Sequence, residues 1–139
     1  MTTITVHGFH LDGYGHVNNA RYLEFLEAAR WDQLHAHQDL NWWHDQGYAF
    51  VIANIDISFR RPANLGDRLD VTVALGDLGE TSARVMQEIR HTTGELVVDA
   101  ALVCVILDTG TGQTVPITGE VRKRLEALAE TLNNPPDAS

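Results

Sequence analysis

Cysteine is nearly absent from this sequence. Cys104 stands alone inside an apolar run, so no internal disulfide can form, and a reducing cytoplasm is the expected compartment. No apolar run approaches the roughly eighteen residues that a membrane-spanning helix requires. The stretch Met1 to Asp12 lacks a basic segment followed by an apolar one, and so does not read as a secretory signal. Positive charge is scarce too. Ten Lys and Arg stand against nineteen Asp and Glu, a formal net charge of −9 at pH 7. Non-specific binding to nucleic acid or to an anionic membrane needs the opposite field. There is also no G-x-S-x-G elbow of the kind serine hydrolases carry.

What is present fits one ordinary domain. The 139 residues are 44% hydrophobic and 21% charged, as in folded globular chains. Neither an internal repeat nor an interdomain linker is visible. Residues 1–132 read as a single domain, and residues 133–139 as a flexible tail beginning at Asn-Asn-Pro-Pro.

Thr3 to His10 alternates and is rich in β-branched residues, which predicts an edge strand. A turn follows at Asp12-Gly13-Tyr14-Gly15. From Ala20 to about His35 the spacing becomes helical, with Tyr22, Phe25, Leu26 and Ala29 on one side and Leu23 and Leu34 widening it. An apolar arc covering about half the circumference is broad for a surface helix, and a sheet wrapped around the helix would explain it. Asn18 or Asn19 suits the N-cap. Asn41 to Gly47 predicts a short helix or turn.

Four strands are then expected. Val51, Ala53, Ile55, Ile57 and Phe59 alternate up to Pro62. Leu69, Val71, Val73 and Leu75 form a second series, stopped by Gly76. Ala83, Val85 and Ile89 belong to a third. Leu96 to Leu107 is apolar on both faces apart from Asp99, which predicts a central strand covered on both sides. Short turns between the strands favour antiparallel hairpins. Thr118 can cap a last helix that aligns Val121, Leu125, Leu128 and Leu132. The fold class is α+β, one antiparallel sheet packed on one long helix.

The turn before the long helix is the most informative stretch. Its glycines allow close approach of backbone to a ligand. A helix start supplies unpaired amides and partial positive charge, which polarise a carbonyl and stabilise an oxyanion. Asp12 opposite can attack or draw a proton from water. A thioester suits this equipment, because a thiol with a pKa of about 8.5 leaves without strong acid assistance. The plainer reading is that Asp12 only hydrogen-bonds its own turn.

The stretch HLDGYGHVNNARYLEFLEAARW resembles the signature of hotdog-fold acyl-CoA thioesterases related to 4-hydroxybenzoyl-CoA thioesterase, most of all their long-chain branch linked to bacterial fatty-acid β-oxidation. The likeness continues through IDISFRRPANLGD and the later strands. Its specific element is D-x-x-x-H-V-N-N-x-x-Y. The resemblance implies a hotdog fold, with Asp12 as nucleophile or general base and the Asn19 amide as the polarising donor. His16, Asn18 and Tyr22 match the element as well, His16 either orienting water or substrate or fixing Asp12. It further implies homodimers, usually paired into homotetramers, with active sites at subunit interfaces.

An acyl-CoA substrate is polyanionic, so this acidic chain needs a local cationic site. Arg60 and Arg61, at the strand end before Pro62, are candidates for the CoA phosphates, and Ser82 is a weaker one. Arg84, Arg90 and the Arg122-Lys123-Arg124 cluster are the other groupings. No cofactor and no metal are expected. His10-x-Asp12 and His35-x-His37 only superficially suggest ligand spacing, and iron sites of the two-His-one-carboxylate type sit on a different fold. Two rivals stay open: a hydratase acting on enoyl thioesters on the same fold, and a non-catalytic acyl-CoA sensor. Chain length, CoA against acyl carrier protein, and covalent against general-base attack are not decided by the sequence.

Overall fold

A computed structural model describes residues 1–134. The order is β1 (Thr2–Thr5), a 3₁₀ turn (Gly8–His10), α1 (Asn19–His37), α2 (Leu40–Asp45), β2 (Tyr48–Phe59), β3 (Arg68–Leu78), β4 (Ser82–His91), β5 (Leu96–Asp108) and α3 (Gly119–Asn133). The strands form one antiparallel sheet in the order β1-β3-β4-β5-β2. It curls around α1 as a hotdog fold does. The first strand is shorter than its alternation predicts, because the chain turns into the 3₁₀ segment after Val6.

α1 buries Tyr22, Phe25, Leu26 and Ala29 against the sheet, as the helical spacing requires. Leu23 instead remains exposed, so the buried stripe is narrower than the sequence suggests. The facing sheet surface is built from Leu69 and Val71, from Val85 and Ile89, and from Val98, Ala100 and Leu102. Gln87 is the polar exception on this face, only 1% exposed. Its Nε2 donates to the Leu26 carbonyl at 3.0 Å, and its Oε1 accepts from Arg30 at 3.0 Å. A buried amide needs such partners, and these tie the middle of α1 to one sheet position. α3 covers the adjoining part of the same face with Val121, Leu125, Leu128 and Leu132, against Leu75, Ala83 and Ile106.

Several strand details depart from the sequence pattern. The pairing of β2 with β5 shifts between Ile52 and Asn54. One extra residue in a strand exchanges its faces. Phe50 and Ile52 therefore share the helix side with Ile55, Ile57 and Phe59, while Val51 points to the other side. Gly76 does not stop β3, which continues irregularly to Leu78. There the glycine avoids a tight contact, since a Cβ would lie 3.2 Å from that of Arg84. β5 is buried on its helix side only; Ala101, Val103 and Val105 on the other face are half-buried in the single chain. Thr118 occupies the N-cap of α3 but makes no side-chain cap bond.

α3 also runs one residue into the expected tail, of which residues 135–139 lie outside the described part. The Asn133 side chain donates to the Leu75 carbonyl at 2.7 Å and accepts from the Leu75 amide at 3.0 Å. It thus serves both backbone groups where β3 loses its regular pairing with β4. Asn133→Ala should lower stability by about 1–3 kcal/mol through unsatisfied, partly buried backbone groups. Urea unfolding reads this as a lower midpoint at unchanged slope. An unchanged midpoint would show that water serves Leu75 equally well.

Candidate active site

The segment between β1 and α1 is held from three sides. Val6 donates to Asp67 O at 2.9 Å, and Gly66 donates back to Val6 O at 2.9 Å. The Val17 amide donates to Ala63 O at 3.0 Å, and His16 bridges to Asn64. Asn18 donates to His10 O at 2.9 Å. The 3₁₀ turn and the Ala63–Asp67 loop therefore set where the helix begins.

Within that frame the chain from Asp12 to His16 closes a tight turn. Gly15 donates to Asp12 O at 3.1 Å, and Asp12 donates to His16 O at 2.8 Å. Gly15 has φ +81°, a left-handed conformation that costs glycine little. Asp12 Oδ1 accepts from the Tyr14 amide at 2.8 Å and the His16 amide at 3.3 Å. Oδ2 takes no donor from the described residues, and the side chain is exposed. The turn-stabilising role is thus present, yet it occupies one carboxylate oxygen only. It is the backbone of His16, not its imidazole, that bonds Asp12.

Helix α1 starts three residues after His16. Asn18 is the N-cap; its Oδ1 accepts from the Ala20 amide at 3.0 Å and its carbonyl from Arg21 at 2.8 Å. The Asn19 amide, first in the helix, has no carbonyl one turn back. It finds no acceptor among the described residues. A free carboxylate oxygen and a free helix-end amide, seven residues apart on one braced segment, make a place where a carbonyl can be polarised and attacked.

Tyr22 lies one turn inside, 2% exposed, with its ring near Phe25 and Phe59. Its hydroxyl is buried without a well-formed hydrogen bond. Burial pushes the phenol pKa up, opposed by the backbone at Ala63 and aided by the charges of Asp67 and Asp12. Tyr22 therefore stays neutral and can donate.

Arg60 and Arg61 follow the last residue of β2 at the end of the sheet that carries the turn, three and two residues before Ala63. Each is exposed and already paired, Arg60 with Asp99 at 3.0 Å and Arg61 with Glu95 at 3.2 Å. Exposed pairs of this kind are weakened by solvent screening, so a phosphate can compete for them. Ser82 stands at the opposite end of β4, which ends at His91 beside Leu69. Nine residues of strand, roughly 30 Å, separate it from that end, and a single chain does not bring it to the turn. Among the described residues no three His, Cys, Asp or Glu side chains gather as a metal-ligand set.

Two supporting residues escape a reading of the motif alone. His10 is buried, accepts from the His7 amide through Nδ1 at 2.9 Å, and meets Phe25 edge-on at 5.0 Å. Asp67 accepts from the Asn64 amide at 2.8 Å and so shapes the loop that holds Val17. The segment IDISFRRPANLGD contains Asn64 and Asp67, but its link to the turn is long-range.

The chain belongs to the thioesterase-like superfamily, whose family model matches residues 7–125. Among particular relatives, it is 44% identical over 131 residues to the long-chain acyl-CoA thioesterase FadM of Escherichia coli K12, covering 94% of this chain and 99% of that one. The crystal structure of YbaW, a probable thioesterase from E. coli, superposes with a TM-score of 0.87 at 44% identity, over 92% of this chain and 97% of that one. A Thermus thermophilus thioesterase crystallised with coenzyme A and zinc gives 0.79 at 29% identity, over 93% and 92%.

Burial lowers the His10 pKa from its usual 6.5, helped by His7 and Arg21 and opposed by Glu24. A base whose folded-state pKa is depressed stabilises the fold above the unfolded value and loses that contribution as pH falls through it. Wild type should therefore lose stability between about pH 7 and 5.5 more steeply than His10→Gln. Chemical unfolding across that range checks this, and parallel profiles would remove His10 as the cause.

Proposed function

We propose that this chain is a thioesterase that hydrolyses acyl-CoA, with long-chain fatty acyl groups as its substrates. The observation that carries the reading is the divided use of Asp12: two amides hold Oδ1 while Oδ2 is left free, on the turn that leads into α1. Relatives named as acyl-CoA thioesterases support the substrate class.

The thioester carbonyl oxygen accepts from the Asn19 amide, where the helix end favours developing negative charge. Asp12 Oδ2 then attacks the carbonyl carbon, or takes a proton from the water that does so. The CoA thiolate departs, and the fatty acid is released directly or by hydrolysis of the acyl-Asp12 intermediate. Asn18 holds the helix start, and Tyr22 and the exposed His16 imidazole stand ready to orient substrate or water. Arg60 and Arg61 exchange their surface carboxylates for CoA phosphates. Ser82 reaches a site only if another chain supplies it.

The same proposal includes a homodimer built on β2, with pairs of dimers forming tetramers and active sites at the interface. β2 is an edge strand with unpaired backbone groups. Its helix-side residues Ile55 and Phe59 stay 38% and 43% exposed. Phe9, Tyr14 and Leu65 are also exposed around the turn, an apolar rim that a second chain or a substrate would cover. A reducing cytoplasm suits the single buried cysteine.

Asp12→Asn should cut kcat for palmitoyl-CoA by about 10²–10⁴-fold. Folding should be intact, because Asn Oδ1 can accept the same two amide bonds. CoA release with a thiol reagent measures this, and full activity in the variant would overturn the role of Asp12. For the assembly, Ile55→Lys should shift wild-type dimers or tetramers toward monomer in sedimentation velocity and reduce turnover. A wild type that sediments as a monomer would refute the interface.

A further inference from the structure

A cavity of about 420 Å³ lies between the second half of α1, the helix-side face of the sheet and α3. Its walls include Leu34 from α1, Val85 and Cys104 from the sheet, and Leu125, Leu128 and Leu132 from α3. The charged and amide side chains along it, Glu27, Arg30 and Gln33, all come from α1. Trp31, 46% exposed, marks an opening at that side. Arg30 is held to the wall by Gln87 at 3.0 Å. Burial pushes the Cys104 thiol pKa up, so it forms wall rather than nucleophile. A chamber of this size and lining suits an apolar ligand.

We propose that this cavity receives the far end of the acyl chain, and that α3 sets the longest chain accepted. The inference rests on the acyl-CoA thioesterase reading above. Eight helix residues separate Asn19 from Glu27, about 12 Å along the axis. A carbonyl held at the Asn19 amide is therefore too distant for a short acyl group to enter, whereas the last methylenes of a long one can.

The test is the ratio of kcat/KM for palmitoyl-CoA to that for hexanoyl-CoA, measured below the concentrations at which the longer substrate forms micelles. Ala83→Phe fills the cavity from the sheet, and Leu128→Phe fills it from α3 should the first variant not fold. Each methylene denied burial costs about fourfold, so either variant should lower the ratio at least about tenfold. Leu132→Ala deepens the floor and should raise stearoyl-CoA relative to palmitoyl-CoA. Ratios within about twofold of wild type in every folded variant of an active enzyme would overturn the cavity assignment alone. A wild type inert on all these substrates would overturn the thioesterase reading and this inference with it.

Discussion

The apolar side of α1 has to be buried, and the inner face of the curled sheet is where that happens. Phe25, Leu26 and their neighbours each contribute about 1.5–3 kcal/mol on leaving water. Gln87 adds a directional bond that fixes which part of the helix lies over which strand. A helix is stiff over such a distance, so placing Tyr22 and Phe25 also places Asn19 one turn earlier. The Asn19 amide at the helix start inherits its position from the core. The turn in front of it is then braced by the Ala63–Asp67 loop and by His10.

Asp12 holds its own turn with one carboxylate oxygen and leaves the other free of donors from the described residues. A carboxylate has two oxygens and several acceptor sites. Fixing one oxygen with two amides removes the rotational freedom that would blur the position of the other. Side chains on turns are generally mobile; here the carboxylate itself supplies part of the rigidity. The glycine at position 15 and the backbone of His16 complete the arrangement without occupying the free oxygen.

Much of this was legible in the residues. The spacing of Tyr22, Phe25, Leu26 and Ala29 marks the buried side of α1 because a helix repeats every 3.6 residues, and the motif around Asp12 marks the turn. The bulge at Ala53 was not legible: a strand alternating through Val51, Ala53 and Ile55 reads as well without an extra residue, and only its pairing with β5 reveals the change of face. Gly76 looks like a terminator until Arg84 is placed opposite it. Apolar residues on both sides of β5 implied two covered faces, yet one chain covers only one. His10 and Asp67 act through partners distant in sequence, and a local pattern carries no trace of such partners.

α3 lies at the far end of the described chain from β1, yet both pack on β3. On a ribosome, therefore, the sheet emerges before the element that shields part of its inner surface. A nascent chain that has not yet reached Val121 exposes Leu75, Ala83 and Ile106 together, a greasy patch of the kind chaperones recognise and neighbouring chains stick to. Covering that patch thus waits on α3, which is made only after the whole sheet.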